Sequence, residues 1–78
     1  MQPILDQWLA EYNKLEELHD KKWDRLNKYE ANGDTKKAQA TSRKMDEILA
    51  KMEGMRIALD ILGYTVIYQD HKNIVVVK

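Results

Sequence analysis

Apolar residues recur three or four positions apart from the start of the chain: Ile4, Leu5, Trp8, Leu9, Tyr12, Leu15, Leu18, Trp23, Leu26 and Tyr29. No glycine or proline interrupts them, and Pro3 suits a first helical turn, where its missing N–H costs nothing. The pattern predicts a helix from about residue 3 to about residue 31. Within it Trp8 and His19, Tyr12 and Trp23, Leu15 and Leu26, and Leu18 and Tyr29 stand eleven apart. An eleven-residue repeat implies a nearly straight helix, or one with a slight right-handed supercoil, rather than the seven-residue repeat of a zipper.

Asn32-Gly33-Asp34 breaks the pattern. Asn and Gly tolerate the left-handed conformation that ends a helix, and Asp34 can cap the next one. So short a break turns the second helix back on the first. That helix is expected over 34–62. Its positions 38, 41, 45, 48, 52, 55, 59 and 62 hold Ala, Thr, Met, Ile, Met, Met, Leu and Leu. Spacing that alternates three and four is a coiled-coil-like seam. Ile57, Ala58, Leu59, Ile61 and Leu62 make its end apolar nearly all round, which implies burial on more than one side. Gly54 lies inside the helix at a cost of about 1 kcal/mol against alanine, a candidate mark of a close helix contact. The stretch Tyr29 to Ala38 is similar to a tetratricopeptide turn, but nothing recurs at the ~34-residue period such arrays need.

Gly63 ends the second helix. Two β-rich runs follow, 65–69 and 74–78, with Asp70-His71-Lys72-Asn73 as the turn. Pairing Gln69 with Ile74 sets Ile67 opposite Val76 and Val66 opposite Val77. One face then carries Ile67, Ile74 and Val76, the other Val66, Tyr68, Val75 and Val77. The fold class expected is α+β, mostly α, in the order α-α-β-β, as one domain over 1–78.

A two-stranded hairpin is marginal by itself in water. One face is expected on the end of the helical pair, near Leu59, Leu62, Leu5 and Trp8. The other needs a second surface, and the valine-rich last strand is a free edge. A homo-oligomer answers both needs, a dimer most economically, either as a four-stranded sheet or as a four-helix bundle. The candidate interface is Trp8, Tyr12, Val66, Tyr68, Val75 and Val77. The alternative is a monomer whose hairpin sits between the helices.

Composition narrows the chemistry. The 78 residues include no cysteine, which excludes disulfides and thiolate metal sites and fits a reducing, cytoplasmic setting. The N-terminal Met1-Gln-Pro-Ile-Leu-Asp6 lacks the basic and long apolar regions of a secretion signal, and no stretch suits a membrane span. Net charge is zero, with 33% charged residues, but its distribution is uneven. Residues 19–44 carry +4, residues 1–18 carry −3 and residues 45–78 carry −1. The basic tip comprises Lys21, Lys22, Arg25, Lys28, Lys36, Lys37, Arg43 and Lys44, with Trp23 and Tyr29 among them. Such a patch can hold phosphates and stack bases, or grip an acidic protein, or simply be a solvated face.

Glu16-x-x-His19 puts a carboxylate and an imidazole on one helix face, as in di-metal bundles, with Glu47 able to approach from the second helix. The pattern is common in charged helices, and His19 is read as a half-buried polar residue; no metal and no cofactor are expected. Met45, Met52 and Met55 read as core. Ser42 is the only serine, and no phosphate loop or nucleophile elbow accompanies it. The expectation is therefore not an enzyme.

The short length, the Lys/Glu-rich helical hairpin and the run Gly54-Met-Arg-Ile-Ala-Leu-Asp-Ile-Leu-Gly-Tyr64 resemble small accessory proteins of phages and mobile elements of low-GC Gram-positive bacteria. Some of those inhibit host defence or regulate host enzymes. The resemblance implies a regulatory interaction protein and assigns no residue a role. Three functions are carried forward: a non-enzymatic oligomeric interaction protein, a nucleic-acid-binding regulator using the basic tip, and a structural or assembly subunit.

Overall fold

The computed structural model describes residues 3–78. Helix α1 spans Pro3–Ala31, α2 spans Thr35–Ile61, and the strands β1, Tyr64–Gln69, and β2, Lys72–Val77, form one antiparallel pair. The α-α-β-β order and the mostly helical content are as the sequence predicts.

The connection between the helices is built from capping bonds. Asn32 N–H donates to Lys28 O, and Asp34 N–H to Tyr29 O at 2.9 Å, with Gly33 at φ +72°. Asp34 Oδ1 then accepts from Lys37 N–H at 3.2 Å, satisfying one of the free donors that open α2.

The seam on α2 falls where its spacing places it. Ala38, Thr41, Met45, Ile48, Met52 and Leu59 are buried and Met55 is half-buried, while Leu59 is the most enclosed side chain at 1% exposure. Leu62, the last position of the series, lies outside and caps the helix. On α1 the eleven-residue reading is corrected. Apart from Leu9 and Glu16, seven apart on the flank toward the sheet, the buried and half-buried positions Leu5, Trp8, Tyr12, Leu15, His19, Lys22, Leu26 and Tyr29 alternate three and four throughout, a seven-residue repeat. Trp23 and Leu18, which the longer period needs, are 52% and 43% exposed. Two large apolar side chains off the seam, and a histidine and a lysine on it, disguised the period. Lys22 is tolerated there because its aliphatic stem packs while its ammonium reaches water.

Tyr12, Ile48 and Met52 form the centre of the core, with Trp8, Leu15, Met55 and Val66 packed around it. The Trp8 and Tyr12 rings stack at 4.8 Å, and Trp8 Nε1–H donates to Met55 O at 3.1 Å. The buried Tyr12 hydroxyl accepts from Arg56 Nη1 at 2.7 Å, so the ring is enclosed without stranding its polar end.

Gly63, at φ +89°, ends α2 and reverses the chain. The hairpin then runs back beside the helices instead of resting on their end, which corrects the second expectation. Six strand residues reach about 20 Å, the length of roughly thirteen helical residues. The far end of the sheet accordingly meets α1 about three turns up, where Asn73 Nδ2 donates to Asn13 Oδ1 at 2.9 Å and to Glu16 Oε2 at 3.0 Å. At the near end Lys78 N–H donates to Gly63 O, and the Lys78 ammonium pairs with Asp60.

The register differs from the expected one by two residues. Gln69 pairs with Lys72, Ile67 with Ile74 and Val66 with Val75. The turn is therefore two residues, Asp70 and His71, at φ +54° and +63°. Positive φ at both centres is the type I′ geometry, whose twist matches that of the flanking strands. Because the slip is an even number, the membership of each face is unchanged. Val66 packs on the Tyr12 cluster and Asn73 bonds α1, so their face, with Val75, lies on the helices. Ile67, Ile74 and Val76 point away.

Candidate interaction surfaces

The six residues proposed from sequence as an interface divide between core and surface. Tyr12 is inside the chain's own core, Val66 packs against it, and Trp8 and Val75 are half-buried. Tyr68 and Val77 are exposed. The sheet face with four of these residues is thus covered by the chain's own helices at Val66 and Val75 and left open at Tyr68 and Val77.

What remains bare lies elsewhere. Opposite the sheet, a groove of about 550 Å³ runs between the helices, lined by Trp8, Leu15, Met55, Ala58 and Gly54 with Glu11 and Lys51 on its rims. No strand residue lines it. On α1 the positions 4, 8, 11, 15 and 18 alternate four and three, and on α2 so do 51, 55, 58 and 62. These are second heptad stripes, displaced about a fifth of a turn from the seams. They hold Ile4, Trp8, Leu15, Leu18, Met55, Ala58 and Leu62, interrupted by one charge on each helix. Ile4 and Leu62 are 64% and 63% exposed. A Cβ built on Gly54 meets nothing within 4 Å, so this glycine serves no close contact inside the chain. None of these residues except Trp8 was singled out as an interface from sequence. The signal was present as a second three-four spacing beside the first.

A smaller apolar region flanks the other side of α2. Ile57 and Ile61 are exposed there, and Ile57 shares a cleft with Glu53, Arg56, Asp60 and Thr65.

The basic tip is less focused than its composition suggests. Lys37 pairs with Asp34 at 3.8 Å and sits 5.7 Å over the Tyr29 ring, and Lys22 is half-buried on the seam. Lys21, Arg25 and Lys28 follow one flank of α1 at four-three spacing, and Lys37 and Lys44 stand seven apart on α2. Lys36 and Arg43 are also exposed. At 100° per residue Trp23 faces nearly the opposite way from Lys21 and Lys28, so it does not interleave with them.

The Glu16–His19 pair gathers no ligand set. Among the described residues no group of three His, Cys, Asp or Glu is placed to hold a metal ion, and Glu16 is engaged by Asn73. Ser42 lines an open cleft at the tip with Leu26, Glu30, Gly33, Thr35, Ala38 and Gln39, without a histidine. No helix among the described residues is long and apolar enough to cross a membrane.

Comparison with family models, with curated proteins and with solved structures yields no match to this chain.

Proposed function

We propose that the chain is a small non-enzymatic interaction protein that self-associates and acts by binding another protein. One observation carries this reading: apolar surface lies outside the core on both flanks of the helical pair, concentrated at the end that also bears the sheet. Neighbouring exposed apolar side chains rimmed by charged ones are a mark of an interaction site. The resemblance to accessory proteins of phages and mobile elements supports a regulatory role, and the cysteine-free sequence supports a cytoplasmic setting. The test is molar mass by light scattering across a concentration series. A mass above that of one chain, rising with concentration, is expected. One-chain mass throughout would overturn self-association, and open-ended growth would instead favour an assembly subunit.

A second reading rests on the aligned cations Lys21, Arg25, Lys28, Lys37 and Lys44. They suit a polyanion, with nucleic acid the natural one. That reading requires affinity that falls steeply with salt and is lost when these residues are neutralised together. No binding to mixed DNA and RNA at low salt removes it.

A further inference from the structure

The reading of self-association leaves open which surface joins the copies. Resting on that reading, we infer that the helix face opposite the sheet joins two copies about a two-fold axis parallel to the helices, forming a four-helix bundle with the sheets outside.

Three observations select this occupant. Each helix carries a second heptad stripe that shares Trp8, Leu15 and Met55 with the seam and adds the exposed Ile4, Leu18, Ala58 and Leu62, and a helix whose apolar face widens past its own partner is the element of a bundle larger than a pair. The rims of the groove are oppositely charged at the same height: Glu11 on α1 and Lys51 on α2 line it together. A two-fold axis along the groove lays α1 of one copy over α2 of the other, so each Glu11 meets the partner's Lys51, twice per dimer. Among the described residues no ion pair engages Lys51 within the chain, and Glu11 has only an exposed contact to Lys14 at 3.8 Å. The third observation is Gly54. It lines the groove on α2, and its missing side chain leaves space there that nothing from its own chain fills.

The size of the face sets the strength. The stripe from Ile4 to Leu18 is about 22 Å long, and two helices are about 20 Å wide, giving roughly 450 Å² per copy. A stable dimer needs about 800 Å² per partner, so this contact belongs to the weak, transient class. The arrangement also places both basic tips at one end. Their like charge holds the distal halves apart and confines the contact to the apolar half.

The charge pair supplies the test. E11K and K51E each replace two attractive contacts with two repulsive ones, and each is expected to weaken dimerisation about tenfold. Mixing the two variants restores a dimer of one copy of each, read by native mass spectrometry, because every Glu11–Lys51 position then pairs opposite charges again. Circular dichroism of each variant verifies that the helices are intact, and recovery on mixing is itself proof of folding. L18K is expected to abolish the dimer. If wild type associates but E11K, K51E and L18K do so equally well, or if the mixture shows no preference for the mixed dimer, this face is not the interface. In that case I67K or I74K breaking the dimer would move the contact to the sheet and leave the functional reading standing. Monomeric wild type overturns both.

Discussion

Gly54→Ala separates folding from association, because the two respond with opposite sign. Gly54 lies inside α2, where glycine costs about 1 kcal/mol relative to alanine through backbone entropy. The added Cβ finds no atom within 4 Å, so no clash subtracts from that gain. The isolated chain should therefore become more stable by about 1 kcal/mol, a rise in Tm of roughly 4–8 °C for a domain of this size. The assay is thermal unfolding followed by circular dichroism, first at a concentration where the chain is monomeric and then where it associates. In the second condition the methyl group projects from the groove lining toward the proposed partner, and overpacking of this kind costs about 1–3 kcal/mol. The gain in Tm should shrink or reverse as concentration rises. An unchanged or lower Tm at dilution would mean that this chain packs against Gly54. A gain that grows with concentration would place the contact between copies on another face.

His71→Gly converts the hairpin turn to Asp-Gly, the preferred pair for its geometry. Relief of the positive φ, less the extra entropy glycine has when unfolded, should stabilise by about 0.5–1 kcal/mol in urea titration, and a loss of stability would refute the two-residue turn. Leu59→Ala removes the most enclosed side chain and should cost about 2–5 kcal/mol, enough to shift the urea midpoint far down; a cost under about 1 kcal/mol would contradict its burial. Asp34→Ala should cost about 1 kcal/mol by stranding the Lys37 N–H, whereas Asp34→Asn should retain most of the stability. Equal losses from the two substitutions would mean that charge rather than capping explains Asp34.

Those residues also show where sequence was sufficient. The α2 seam was legible because every position from Ala38 to Leu59 obeys one spacing and no large apolar residue up to Met45 competes with it. On α1 the same spacing was present but obscured, since hydrophobicity alone counts Trp23 and Leu18 as seam and discounts Lys22. The hairpin and the membership of its faces followed from alternation. Its register did not, because Asp70-His71-Lys72-Asn73 offers polar residues for either a two- or a four-residue turn, and only the backbone angles decide. The side against which the sheet packs was also out of reach. It depends on the reversal at Gly63 and on Asn73 finding Asn13 and Glu16 some sixty residues earlier. The bare groove was missed for a related reason: a second stripe is recognisable as unused only once the first is known to be used.

The contrast between the two ends of the hairpin bears on what each can do. In the half nearer the chain ends, α1 and α2 have large residues at their seam, Leu5, Trp8, Tyr12 and Leu15 against Ile48, Met52, Met55 and Leu59, and a sheet on one flank. The distal half sets Ala38, Thr41 and Met45 against His19, Lys22, Leu26 and Tyr29, whose α1 members are all only half-buried, with no strand beside it. Burial there is correspondingly small, and with conformational entropy opposing every ordered residue, the distal turns have the thinner margin. The same choice of seam residues thus puts the better-packed half and the basic, lightly packed half at opposite ends of one hairpin.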